Sequence, residues 1–255
     1  MSGCKIKIKN MEDLTQRQID ILNVIIKEYS ESGMPVGSGV IEKKYKLGVC
    51  PATIRNEMVE LAKKGYLKKE YFSSGRVPSA KGFRFYINNL MKEKELSTTD
   101  EVSFKNSVWD ERSETHRLLS QAVKILSKKT GLLSLSATNN GDLYYSGVAN
   151  IFTQPEFFDI GVSRNLLELI DEINYWERVL SRFSAEQELI YLLGEEDFHD
   201  PAFEPCASII GNFEGQNTKG IIGVVGHRRM SYELVAPQVR YFSKLLEQII
   251  REQKL

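Results

Sequence analysis

The sequence predicts an α+β chain in two parts, and three observations predict it. Over residues 1–95, apolar residues recur at helical spacing and then give way to a strand, a glycine turn and a second strand. Over residues 96–255, short apolar runs alternate with helical patterns, the mark of an α/β or α+β domain. The two parts also differ in charge: residues 1–96 hold 18 Lys+Arg against 11 Asp+Glu, and the rest hold the other 16 against 23, so a net charge of zero hides +7 and −7. A basic part joined to an acidic one suits polyanion binding by the first. Chance segregation of exposed charge explains the same balance equally well, so motifs have to decide.

Composition narrows the classes. Hydrophobic residues at 42% and charged residues at 27% are ordinary for a folded soluble protein of 255 residues. No stretch approaches the roughly 20 apolar residues of a membrane span. The first ten residues carry lysines but no apolar block, so no signal peptide is expected and a cytoplasmic location follows. Cys4, Cys50 and Cys206 are odd in number and far apart, which fits neither a disulfide framework nor a zinc site. His116, His199 and His227 are equally scattered, so neither metal nor cofactor is expected. Nothing pairs a nucleophile with a base, and no enzyme is predicted.

The first helix opens at Thr15, which can cap the first turn while Gln18 completes a capping box. Ile19, Leu22, Ile25, Ile26 and Tyr29 form its stripe and Gly33 stops it. Met34, Pro35, Val36 and Gly37 make an extended connection. Ser38 caps a short second helix with Val40, Ile41 and Tyr45 inward, and Gly48 turns the chain before Pro51 starts a third. There Ile54, Met58 and Leu61 face the core, leaving Thr53, Arg55, Asn56, Glu60 and Lys63 outward. Two short helices joined by a glycine turn lay a recognition helix in the major groove, where Arg suits guanine and Asn adenine. A plain three-helix bundle with a solvated face fits the helices equally well.

The next residues break the tie. Residues 66–72 read as a strand with Lys68 and Lys69 beside it. Ser73, Ser74, Gly75 and Arg76 form a turn in which Gly75 can take a positive φ, and Val77 and Pro78 return as an edge strand. This hairpin is a wing whose hydroxyls, backbone N–H groups and arginine suit phosphate oxygens, so the N-terminal part is a winged helix-turn-helix. Ser79 caps a further helix over residues 80–91. The DNA-binding set is Thr53, Arg55 and Asn56 for bases, Ser73, Ser74, Gly75 and Arg76 for phosphates, and Lys43, Lys44, Lys63, Lys81 and Arg84 for added charge.

Beyond the polar residues 96–100, a long helix is expected over 102–129, strands over 132–137 and 142–150, and helices over 164–176 and 185–193. Two further strands follow over 206–212 and 220–226. A closing amphipathic helix starts at Pro237, with Val239, Phe242, Leu245, Leu246 and Ile249 as its stripe.

The blocks Thr15 to Gln18, Gly33 to Ser38, Ala52 to Met58, Ser74 to Pro78 and Gly82 to Tyr86 resemble, in order and spacing, the N-terminal half of the HrcA heat-inducible repressors. Tyr145 to Gly147, Gln154 to Phe157, Gly194 to Glu196, Gly223 to Gly226 and Arg229 to Tyr232 extend the resemblance over nearly the whole chain. It implies a GAF-like domain over residues 96–255 and repression of chaperone operons through an inverted repeat in double-stranded DNA. It also implies dependence on a GroEL-type chaperonin. Cys50 stands where the family has a serine cap, and Tyr71-Phe72 where it has His-Thr. Between Ala137 and Asp142 only four residues stand where the family carries a long segment with its dimerisation subdomain. A homodimer is still expected, on another surface for which the amphipathic helix over 239–250 and the long helix over 102–129 are candidates, because two modules on a two-fold axis match an inverted repeat; a monomer that binds DNA more weakly is the alternative. The competing function is a metabolite-responsive winged-helix regulator.

Overall fold

The computed structural model describes residues 13–45, 48–69, 75–184 and 187–253. They divide into two compact units, Met1–Met91 and Lys92–Leu255. The division falls ahead of the expected boundary at residue 95. Lys94 and Glu93 already belong to the second unit: the Lys94 N–H donates to the Glu233 carbonyl at 2.9 Å, and Glu93 pairs with Arg240.

In the first unit α1 spans Gln16–Ser32, α2 Ser38–Lys44, α3 Pro51–Lys63 and α4 Ala80–Asn89, with β1 Leu67–Lys68 and β2 Val77–Pro78 between the last two. The Thr15–Gln18 capping box forms as expected and Gly33 ends α1 in the left-handed region. Ile21, Leu22, Ile25 and Ile26 of α1 meet Ile41, Ile54, Met58, Leu61 and Phe83 in a closed core. Val40, expected inward, is exposed: a helix of seven residues offers one buried position, and Ile41 takes it. β1 and β2 pair antiparallel, Leu67 opposite Pro78 and Lys68 opposite Val77.

In the second unit a five-stranded antiparallel sheet is ordered β4-β3-β7-β6-β5, built from β3 Leu133–Thr138, β4 Leu143–Ser146, β5 Leu189–Leu193, β6 Cys206–Glu214 and β7 Lys219–His227. One face packs on α6 Thr115–Thr130 and α11 Tyr232–Gln253, with α5 Thr98–Trp109 beside them. The other face meets α7 Val148–Ile151, α8 Ile160–Asp171 and α9 Ile173–Ser181, and Leu135, Leu166, Trp176 and Val225 sit in that core. α10 Gly194–Phe198 follows β5. α11 lies so close to β6 that a Cβ on Gly211 would stand 2.8 Å from the Ser243 Cβ. Among the described residues no helix is long and apolar enough to cross a membrane.

Several expectations are corrected. The strand over 142–150 ends at Ser146 and gives way to α7, and α2 is capped by Gly37, with Ser38 as its first residue and no side-chain cap. The long helix over 102–129 is two helices, α5 and α6, because residues 110–114 hold no apolar side chain to continue the stripe. Tighter turns take over there: Glu111 and Arg112 donate to the Val108 and Trp109 carbonyls. The helix over 164–176 is also two, broken at Glu172, and the buried Trp176 indole donates to the Ile170 carbonyl at the end of α8. The segment taken for a helix at 185–193 contributes a strand instead, with Ile190 paired to Ile210. Finally, α11 begins at Tyr232, ahead of Pro237. Proline has no N–H for the carbonyl four residues back, and Lys94 supplies the missing donor to Glu233.

Candidate nucleic-acid interface

α2 and α3 form the helix-turn-helix, and α1 holds both by buried polar contacts. Glu28, on the inner side of α1, accepts from the Lys44 ammonium at 2.6 Å and from the Tyr45 hydroxyl at 3.4 Å. That hydrogen bond raises the Lys44 ammonium above its ordinary range. Gln18 donates to Glu57 of α3 at 3.0 Å and accepts from Lys64 at 3.1 Å. The roll of α3 is thereby set, with Ile54, Met58 and Leu61 inward and Arg55 and Asn56 in solvent.

The wing is tied to the α1–α2 connection. Val36 and Arg76 exchange both backbone hydrogen bonds, at 2.9 and 3.0 Å. Gly75 is required there for closeness and not for a positive φ, since a Cβ on it would fall 2.8 Å from Pro35. This contact brings Arg76 to the same side as α3. Arg55, Lys69 and Arg76 line one cleft of about 470 Å³, walled by Gly37, Ser38 and Gly39 at the start of α2. Three cations around a concave surface that Met58 and Val59 complete offer a seat to a phosphate oxygen, and Asn56 stands exposed on the same helix as Arg55.

The other expected contacts distribute differently. The Thr53 hydroxyl lies 3.2 Å from the Cys50 sulfur at the start of α3, and this contact lowers the thiol's proton affinity. Lys63 is paired with Glu60, and Lys44 with Glu28, while Lys43 is exposed. Lys81 donates to the Lys64 carbonyl at 2.8 Å and sits 4.3 Å over the Tyr66 ring, so its charge closes the C-terminal end of α3. Arg84 is half-buried on α4. Ser73 and Ser74 lie outside the described residues. Lys69 was absent from the expected set. Its place beside a strand was visible, but its convergence with Arg55 depends on the Val36–Arg76 bridge.

A family model described as the LexA DNA binding domain matches residues 11–73. A second, described as the HrcA protein C terminal domain, matches residues 55–235, more than half of the chain. The chain belongs to the HrcA family. Among curated HrcA proteins, the heat-inducible transcription repressor of Carboxydothermus hydrogenoformans is 26% identical over 338 residues, covering 93% of this chain and 98% of the relative. That of Clostridium acetobutylicum is 38% identical over 148 residues, covering 56% of this chain and 42% of the relative. An alignment of 338 positions against a chain of 255 means that the first of these HrcA relatives carries many residues with no counterpart here. A crystal structure of a hypothetical protein shares the fold, with a TM-score of 0.75 at 16% identity over 94% of this chain and 99% of that one.

Proposed function

We propose that this HrcA-family chain, a DNA-binding transcription repressor, acts as a homodimer on an inverted repeat ahead of chaperone operons. In this reading it works in the cytoplasm, carries no catalytic activity and is kept active by a GroEL-type chaperonin. The observation that carries the DNA contact is the convergence of Arg55, Lys69 and Arg76 on one cleft beside the exposed Asn56. Arg55 and Asn56 project from α3 toward base edges, while Lys69 and Arg76 from the wing grip the phosphates that fix its register. The name of the relatives, heat-inducible transcription repressor, supports a repressor linked to heat, while the operon and chaperonin assignments rest on the resemblance to the HrcA family alone.

Titration of labelled duplexes carrying the inverted repeat, one half of it, or random sequence tests the reading. Arg55→Ala is expected to cost about 1–3 kcal/mol on the specific site and to relax sequence preference. Lys69→Ala is expected to weaken all duplexes alike and to lower the salt slope by about one. Equal affinity of the parent for repeat and random duplex would refute the assignment.

A further inference from the structure

Three of the exposed large apolar side chains of the second unit lie within nine residues of one another. Phe152, Phe158 and Ile160 stand 49%, 70% and 79% exposed within the stretch 152–160. Phe152 and Ile160 join a groove that runs along α8. Asp159 accepts from the Gly161 N–H at 2.8 Å and fixes the start of the helix, so Ile160 leads its first turn. Ile160, Arg164, Leu167, Glu168 and Asp171 follow at spacings of three and four and share one side. With Phe152 they line a groove of about 370 Å³, while Leu166 and Ile170 on the opposite side are buried in the core.

An apolar patch rimmed by charge marks a contact surface, and the order of the charges points to its occupant. Arg164 stands in the first half of α8, and Glu168 and Asp171 in the second. Arg164 and Glu168 are 76% and 60% exposed even while paired with each other, so both are open to a further partner. Two α8 helices laid antiparallel about a two-fold axis near Leu167 bring each Arg164 opposite Glu168 and Asp171 of the second copy. A parallel arrangement sets Arg164 against Arg164. A two-fold interface requires a surface complementary to itself, and this one is.

We propose that two copies of this chain pair through this face, α8 against α8. This inference rests on the homodimeric reading above and assigns its surface. The HrcA relative aligned over 338 residues carries many residues with no counterpart among these 255, and this face offers a pairing surface that does not need them.

The test is the mass of the full chain in solution, read by sedimentation without DNA at micromolar concentrations. The parent is expected at twice the chain mass. Phe152→Glu with Ile160→Glu is expected at the single-chain mass. Arg164→Glu alone is expected to dissociate, as is the double variant Glu168→Arg with Asp171→Arg. An equimolar mixture of these two charge variants is expected to return to twice the chain mass, because each then offers the other its complement. Recovery on mixing also excludes simple misfolding. A monomeric parent, charge variants that pair as the parent does, or a mixture that stays monomeric would each overturn the proposal. A monomeric parent that still prefers its operator half-site refutes this surface and leaves the DNA reading standing. A dimeric parent with no sequence preference does the reverse.

Discussion

The side-chain amide of Gln18 donates to the carboxylate of Glu57 across 3.0 Å, joining the first turn of α1 to the middle of α3. Gln18 is buried, and its carbonyl accepts from Lys64 and from the Thr15 backbone N–H. Arg17 adds an ion pair to Glu57 at 3.5 Å. Gln18→Leu keeps the size of the side chain and removes every one of its polar partners. Leaving Glu57 and Lys64 undersatisfied is expected to cost about 1–3 kcal/mol in urea unfolding. Operator affinity is expected to fall as well, since the roll of α3 loses its anchor. Unchanged stability would mean that apolar packing alone sets that roll.

Gly75 meets Pro35 with no room for a methyl group. Gly75→Ala is expected to push the wing off the α1–α2 connection, at about 1–3 kcal/mol for an overpacked contact. Because Arg76 follows directly, binding to every duplex is expected to weaken. Protease sensitivity at the wing, measured with and without DNA, reads the displacement. A variant as resistant as the parent would show that the backbone accommodates the methyl.

Cys50 occupies the N-cap of α3 without a side-chain hydrogen bond to the helix backbone. Serine supplies an oxygen acceptor at that position, so Cys50→Ser is expected to stabilise the module by about 1 kcal/mol. The midpoint of urea unfolding measures it. No shift, or a loss, would show that the sulfur contact with Thr53 is worth as much as a cap.

His227 is 7% exposed at the end of β7, and burial pulls its pKa down to about 4 from an ordinary value near 6.5, against the pull of nearby Glu156. Burial also opposes ionisation of the Glu156 carboxyl, but the hydrogen bonds from Arg229 prevail and hold it below its usual range. The two effects share a sign. Between pH 6.5 and 4 the unfolded chain takes up a proton at His227 that the folded chain refuses, so stability falls as the solution is acidified. The loss from His227 approaches about 3 kcal/mol by pH 4. Urea unfolding at several pH values is expected to show this slope in the parent and a flatter one in His227→Gln. Parallel slopes would assign the acid sensitivity to other groups.

The parts legible in the sequence are those that repeat a pattern over several turns. The α1 and α3 stripes fix their inner faces and therefore, by subtraction, the exposure of Arg55 and Asn56. The buried β7 was equally plain from its valines and isoleucines. Leu189–Leu193 was not, because five apolar residues fit a helix or a strand, and only pairing with β6 decides between them. Pro237 looked like a beginning because the donor that tolerates it, Lys94, lies far away in sequence. At the candidate interface, Lys44 reads in the sequence as a spare cation, and the buried Glu28 that pairs with it lies on another helix. The grouping of Lys69 with Arg55 follows from a strand bridge that no local pattern announces.

The turn between β3 and β4 closes on itself. Thr138 N–H donates to the Asp142 carbonyl at 3.0 Å, and Asn139 is bonded to Lys219 through both backbone and side chain. The two strands leave it in register, Ala137 opposite Leu143. The pairs from Ser134–Ser146 to Ala137–Leu143 lie below the turn, so the register of these two strands does not depend on the length of the connection. Replacing four residues by a hundred would add about 3 kcal/mol of loop closure, at roughly 0.6 kcal/mol for each doubling. Such a site works as a socket, able to carry an added segment while the two strands beneath keep their register.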